Sequence, residues 1–83
     1  MKSQRITQDH NIGSNLRRLR KSNDLTQRQV AEELCRAGIR TSREIYAQIE
    51  CGTHGIPVSM LKNLKILYGC TYDDIFLQDK STP

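Results

Sequence analysis

Apolar residues recur along this chain at helical spacing. Ile12, Leu16 and Leu19 fall on one face, with Arg17, Arg18 and Lys21 off it, which predicts a helix from about 12 to 22. Val30, Ala31 and Leu34 make a second stripe within 26–37, and Ile45, Tyr46 and Ile49 a third within 42–50. Leu61, Leu64, Leu67 and Tyr68 form a fourth, opening near Pro57 and ended by Gly69. Ile75 and Phe76 point inward from a last short helix capped by Thr71, with Asp73 and Asp74 in its first turn. No strand pattern, repeat or low-complexity segment interrupts this series. The expected fold is all-α, five helices around one core, over residues 11–77. Residues 1–10 read as a flexible arm and 78–83 as a loose tail.

The boundaries between the second and third stripes carry the most information. Thr26 can cap orphan backbone N–H groups, and Gln29, three residues on, can cap back, giving a T-x-x-Q capping box. Gly38 can take the left-handed conformation that ends a helix, Ser42 is the next natural N-cap, and Cys51-Gly52 stops the third helix. Two capped amphipathic helices joined through a glycine turn outline a helix-turn-helix, which places its second helix in the DNA major groove.

Charge sharpens this picture. The 83 residues hold 13 Lys+Arg and 9 Asp+Glu, a net charge of +4. The charge is uneven: residues 1–43 contain 10 basic and 4 acidic side chains, and residues 44–83 contain 3 and 5. A basic half beside a mildly acidic half fits one polyanion-facing side. No apolar run approaches the ~18 residues that span a membrane, and Met1 to His10 lacks the apolar core of a secretory signal. Cys35, Cys51 and Cys70 are odd in number and widely spaced, which argues against a disulfide framework. Even with His54 they lack any C-x₂₋₄-C pair, so neither a metal nor another cofactor is expected. Small half-buried thiols in a reducing cytoplasm are the simpler reading.

Four motifs in order give a family resemblance: I-G-x-x-L-R-x-L-R at Ile12 to Arg20, L-T-Q-x-x-V-A at Leu25 to Ala31, S-R-E-x-Y-x-x-I-E at Ser42 to Glu50, and Y-D-D-I-F at Tyr72 to Phe76. The chain resembles the Xre-type, lambda-repressor-like DNA-binding domains of phage repressors and small bacterial regulators. It departs from their compact form between helices 2 and 3. Cys35-Arg36-Ala37 separates Leu34 from Gly38, and Ile39-Arg40-Thr41 precedes Ser42, so the connection is about five residues longer. A subgroup with a similar G-I-x-x-S-R-E pattern looks like the nearest relative.

Arg43, Glu44 and Gln48 lie on the face of helix 3 opposite Tyr46 and Ile49, and the family positions matching them are base readers. Arg43 suits guanine O6 and N7, Gln48 suits adenine N6 and N7, and Glu44 suits cytosine N4 or the orientation of Arg43. Ala47 lies beside Gln48, one turn after Arg43 and Glu44. Gln27, in the first turn of helix 2, is placed to hold a phosphate oxygen. Thr26, Arg28, Arg17, Arg18, Arg40 and the Thr53-His54 loop are further phosphate neighbours, and Lys2 and Arg5 would sit on the arm. The resemblance implies that Arg20 and Glu50 join helix 1 to the end of helix 3 as an ion pair.

A single module of this size buries too little surface for tight specific binding, so a homodimer on an inverted repeat of double-stranded DNA is expected. Ile75, Phe76 and Leu77 are the expected dimer surface. The expected function is transcriptional regulation, most simply repression, in a bacterial or phage-encoded cytoplasmic protein. The alternative is an antitoxin or other helix-turn-helix module with a protein partner. His10 and His54 have no motif partners and no Gly-rich phosphate loop is present, so an enzyme is not expected.

Overall fold

A computed structural model of the protein describes the backbone of residues 5–6 and all of residues 12–77. It contains β1 (Arg5–Ile6), α1 (Ile12–Ser22), α2 (Gln27–Arg36), α3 (Arg43–Cys51), β2 (Ile56–Pro57), α4 (Val58–Tyr68) and α5 (Tyr72–Phe76). The five helices match the four apolar stripes and the short capped helix expected after them. Thr26 and Ser42 stand just outside α2 and α3, in extended backbone, because each side chain accepts from an N–H of the turn it caps. The capping box at Thr26 and Gln29 forms in both directions, and Thr71 and Asp74 make a second at α5.

One element has no counterpart in the hydrophobic pattern. Arg5 pairs with Pro57 and Ile6 with Ile56 in a two-stranded antiparallel ladder. Two-residue strands are too short to leave an alternating signature, so the sequence gives no sign of them. This ladder occupies part of the expected arm; residues 1–4 and 7–10 of the arm, Lys2 included, and the tail 78–83 lie outside the described residues.

The first four helices end in the same way. Leu25 N–H donates to Arg20 C=O and Asp24 N–H to Lys21 C=O, and the pattern repeats at Ile39 and Gly38, Thr53 and Gly52, and Cys70 and Gly69. Each is a Schellman motif closed by a left-handed residue: Asp24, Gly38, Gly52 and Gly69 all have positive φ. The motif at Gly38 opens the connection to α3, and Ile39 just past it packs at the core margin. Thr41 and Ser42 then lead into α3 across a cleft of about 470 Å³ between α2 and the start of α3.

Leu16, Val30, Leu34, Tyr46, Ile49, Ile56, Met60, Leu64 and Ile75 are fully buried at the centre. Helix α1 packs against α3 and α5, and α2 against α3 and α4, so α3 is held from two sides. Gly13 is where α1 comes nearest: a Cβ there would lie 2.5 Å from the carbonyl oxygens of both Ile49 and Glu50. Asn15, buried beside Leu16, donates through Nδ2 to Ile75 C=O and Leu77 C=O, each at 2.9 Å, and so ties the end of α5 to α1. Among the described residues no helix is long and apolar enough to cross a membrane.

The expected dimer surface is corrected in one respect. Ile75 is 0% exposed and belongs to this chain's own core, because α5 must bury one face to stay folded. Phe76 is half-buried against the same core, and Leu77 is 54% exposed.

Candidate nucleic-acid interface

Helix α3 combines an apolar inner face with a polar outer face. Tyr46 and Ile49 are buried, Arg43, Glu44 and Gln48 are exposed, and Ala47 is half-buried between the two faces. Ser42 Oγ caps Ile45 N–H at 3.2 Å, which fixes where the helix starts and so which residues occupy its first turn. At the other end Gln48 C=O accepts from both Thr53 N–H at 3.0 Å and Thr53 Oγ1 at 3.2 Å. Thr53 thus closes the helix that carries Gln48, while remaining exposed.

The ion pair implied by the resemblance is present. Arg20 Nε donates to Glu50 Oε2 at 2.7 Å and Arg20 Nη2 to Glu50 Oε1 at 3.2 Å, with both side chains 10% exposed or less. Arg20 Nη1 also donates to Leu25 C=O at 2.8 Å, so one guanidinium joins α1, the α1–α2 turn and α3. Burial pushes the Glu50 carboxyl upward, but hydrogen bonds from Arg20, Tyr46 and Gln27 outweigh it and hold the group below the usual carboxylate range. The hydrogen bond to Glu50 correspondingly raises Arg20.

Gln27 does more than its position in the sequence shows. Its Nε2 donates to Glu50 Oε1 at 3.1 Å, and its Oε1 accepts from Arg43 Nη1 at 3.4 Å. Because an ionised carboxylate can only accept, the amide must turn its nitrogen inward and its oxygen toward Arg43. Arg43 also lies 3.8 Å from the Glu44 carboxylate. Gln27 therefore links the buried ion pair to the first residue of the exposed face. The sequence marked Gln27 for a phosphate and contained no sign of this link.

The cationic candidates distribute around this centre. Arg17, Arg18 and Lys21 line a concave surface on α1 with Ser14 and Ser22. Arg18 Nη2 donates to Asn15 Oδ1 at 3.2 Å. Arg28 pairs with Glu32 at 3.4 Å along the exposed face of α2, a contact that solvent leaves weak. Arg36 pairs with Glu33 one turn further on. Arg40 is exposed in the connection before α3. Thr26 is engaged as a cap.

Two buried polar groups escaped the sequence reading. Asn15 falls on the apolar face of α1 between Ile12 and Leu16, and a polar residue there is a sign that a buried backbone acceptor needs a donor. The apolar stripe of α4 places Tyr68 in the core and gives its hydroxyl no partner, yet that hydroxyl lies 2.6 Å from that of Tyr46. Burial, above all, raises the pKa of both phenols, so both stay protonated donors.

The helix-turn-helix domain family matches residues 13–79, from the first turn of α1 to beyond α5. No curated protein and no solved structure matches the chain.

Proposed function

The chain belongs to the helix-turn-helix domain family, and we propose on that footing that it is a sequence-specific transcriptional regulator, a non-enzymatic repressor of the Xre type. The observation that carries this reading is the outer face of α3. Arg43, Glu44 and Gln48 are exposed on a helix capped at both ends, and the Arg20–Glu50 pair braces that helix from behind. Such a face suits the major groove, where Arg43 reads guanine, Gln48 reads adenine, and Ala47 and Glu44 complete the contact. Arg17, Arg28, Arg40, Thr53 and the remaining N–H of Gln27 then meet phosphates. The protein acts in the bacterial cytoplasm as a homodimer on an inverted repeat, with half-sites ~34 Å apart or a multiple of that. Leu77 and Phe76 offer apolar surface for the second copy.

A selection of bound genomic DNA tests this reading, with a palindrome as the expected result. A folded protein that enriches no sequence would refute it. One observation favours a second reading, an antitoxin or adaptor with a protein partner: Ile66, 74% exposed on α4, lines a shallow groove with Leu67, Leu34 and Ala37 at the end of α2.

A further inference from the structure

The cleft of about 470 Å³ between α2 and the start of α3 has the size of a small-molecule site. One wall is α2, where Arg28, Ala31, Glu32 and Cys35 fall at i, i+3, i+4 and i+7 and so share a face. The other wall is the entry to α3, Thr41 to Arg43. Arg36, the last residue of α2, lines the cleft as well. The Cys35 thiol donates to Thr41 C=O at 3.4 Å and joins the two walls at one point.

Three features of the lining define what it accepts. The first is charge: the guanidiniums of Arg28, Arg36 and Arg43 stand against a single carboxylate, Glu32. Their existing partnerships are weak. Arg28 with Glu32 at 3.4 Å, Arg43 with Glu44 at 3.8 Å, and Arg36 with Glu33 are all exposed pairs that solvent screens. A guanidinium in such a pair can turn its fork to a ligand carboxylate and hold it by two parallel hydrogen bonds. The second is an apolar floor. Ala31, the exposed Cys35 and the methylene stems of the arginines favour a hydrocarbon body and offer nothing to a hydrated inorganic ion. The third is Thr41 Oγ1. It is buried without a hydrogen-bond partner, the single such side-chain atom among the described residues. Buried polar groups are otherwise paired, so a hydroxyl left over in a cleft wall marks a place where a ligand supplies the partner.

We propose that this cleft binds a small organic carboxylate with an apolar body, and that the bound anion draws Arg43 away from DNA; the second half rests on the DNA-binding reading above. The carboxylate lies among the Arg28, Arg36 and Arg43 guanidiniums and accepts from the Thr41 hydroxyl. The apolar body lies against Ala31 and Cys35. Arg43 then serves a carboxylate in place of guanine, and a negative charge stands beside the first turn of α3, where DNA brings its phosphates. Ligand and operator therefore oppose each other, each lowering the other's affinity by the same factor. The signal needs no rearrangement of the fold, because the ligand shares a side chain with the operator.

Cys35 supplies the readout. Cys35 and Cys51 are both exposed, so iodoacetamide alkylates each in the folded protein, and mass spectrometry resolves the two rates. The probe is hexanoate, with hexan-1-ol, and inorganic phosphate at the same ionic strength, as controls. Hexanoate is expected to slow Cys35 saturably and leave Cys51 unchanged, while neither control slows Cys35. Arg36 is exposed and outside the DNA contacts named above, so Arg36→Gln is expected to fold and to bind DNA like the wild type. Half-protection of its Cys35 should need about tenfold more hexanoate, the factor of one charge-assisted hydrogen bond. On the selected DNA site, read by fluorescence anisotropy, hexanoate should release the wild type over the same concentrations that protect Cys35, and Arg36→Gln only at about tenfold higher ones. No protection of Cys35, equal slowing of Cys51, equal protection by hexan-1-ol or phosphate, or an unshifted curve in Arg36→Gln would overturn the site. Protection of Cys35 without release of DNA would overturn the regulatory half. A wild type that selects no DNA while hexanoate still protects Cys35 refutes the regulator reading and leaves the carboxylate site standing.

Discussion

Arg20 and Glu50, thirty positions apart in the chain, form a two-pronged ion pair between the last turn of α1 and the last turn of α3. The pair is buried, and Glu50 receives Gln27 on the same oxygen as Arg20 Nη2. Its removal therefore disturbs three elements together. Glu50→Ala leaves a buried guanidinium with only Leu25 C=O as acceptor and should destabilise the fold by about 3–5 kcal/mol, the range for breaking a buried pair. A double-mutant cycle with Arg20→Ala, read by urea unfolding, should show strong coupling. Additive effects would mean that the two side chains do not sense each other.

The same pair gives the fold an acid limb. Glu50 titrates lower in the folded protein than in the unfolded chain, so the unfolded state binds the proton more readily and stability rises with pH through that interval. The contribution is complete above the unfolded carboxylate range, about pH 4.3, and is lost as pH falls through the lower folded value. Glu50→Gln should lower stability at neutral pH and flatten its fall toward acid. An acid limb identical to the wild type's, followed by circular dichroism against pH, would assign the effect to other carboxylates.

Much of this architecture is legible in the chain because helices advertise themselves by spacing and caps. Thr26, Ser42 and Thr71 cap where their side chains allow, and Gly38, Gly52 and Gly69 turn where a left-handed residue is needed. Asp24 is the exception, a left-handed residue with a Cβ. The outer face of α3 is legible for the same reason, since helical periodicity separates Tyr46 and Ile49 from Arg43 and Gln48. Side-chain partnerships across elements leave no such trace. Gln27 with Glu50, Tyr46 with Tyr68, and Asn15 with the end of α5 depend on how helices pack, and the pairing of Ile6 with Ile56 on how the chain returns. Ile75 belongs to the chain's own core and not to the expected dimer surface, because an apolar end of a short helix looks the same in sequence whether it faces its own core or a partner.

Gly13 is required by distance. A methyl group there would meet the last carbonyls of α3 at 2.5 Å, and backbone atoms at that spacing cannot yield without moving a helix. Gly13→Ala should cost about 1–3 kcal/mol, as overpacking does, despite alanine's better helix propensity. It should weaken DNA binding by displacing α3 from Arg20. A melting temperature equal to or above the wild type's would show that α1 and α3 have room to separate without loss.

Arg43→Ala removes the side chain best suited to guanine and should cost about 1–3 kcal/mol on the selected site. Discrimination should relax at one base pair in each half-site and stay intact elsewhere. A randomised-site selection reads this directly, and an unchanged base-preference profile would mean that α3 docks by another face.

The most direct test of DNA binding as the function is its salt dependence. A dimer whose basic side neutralises ~6–10 phosphates should lose ~10³–10⁵ in affinity between about 50 and 200 mM salt through counterion release. Reversing the charges of Arg17 and Arg28 should flatten that slope while leaving the dimer intact. If the folded protein binds no DNA at low salt, in any sequence context, α3 does not serve as a recognition helix and the protein-partner reading takes its place.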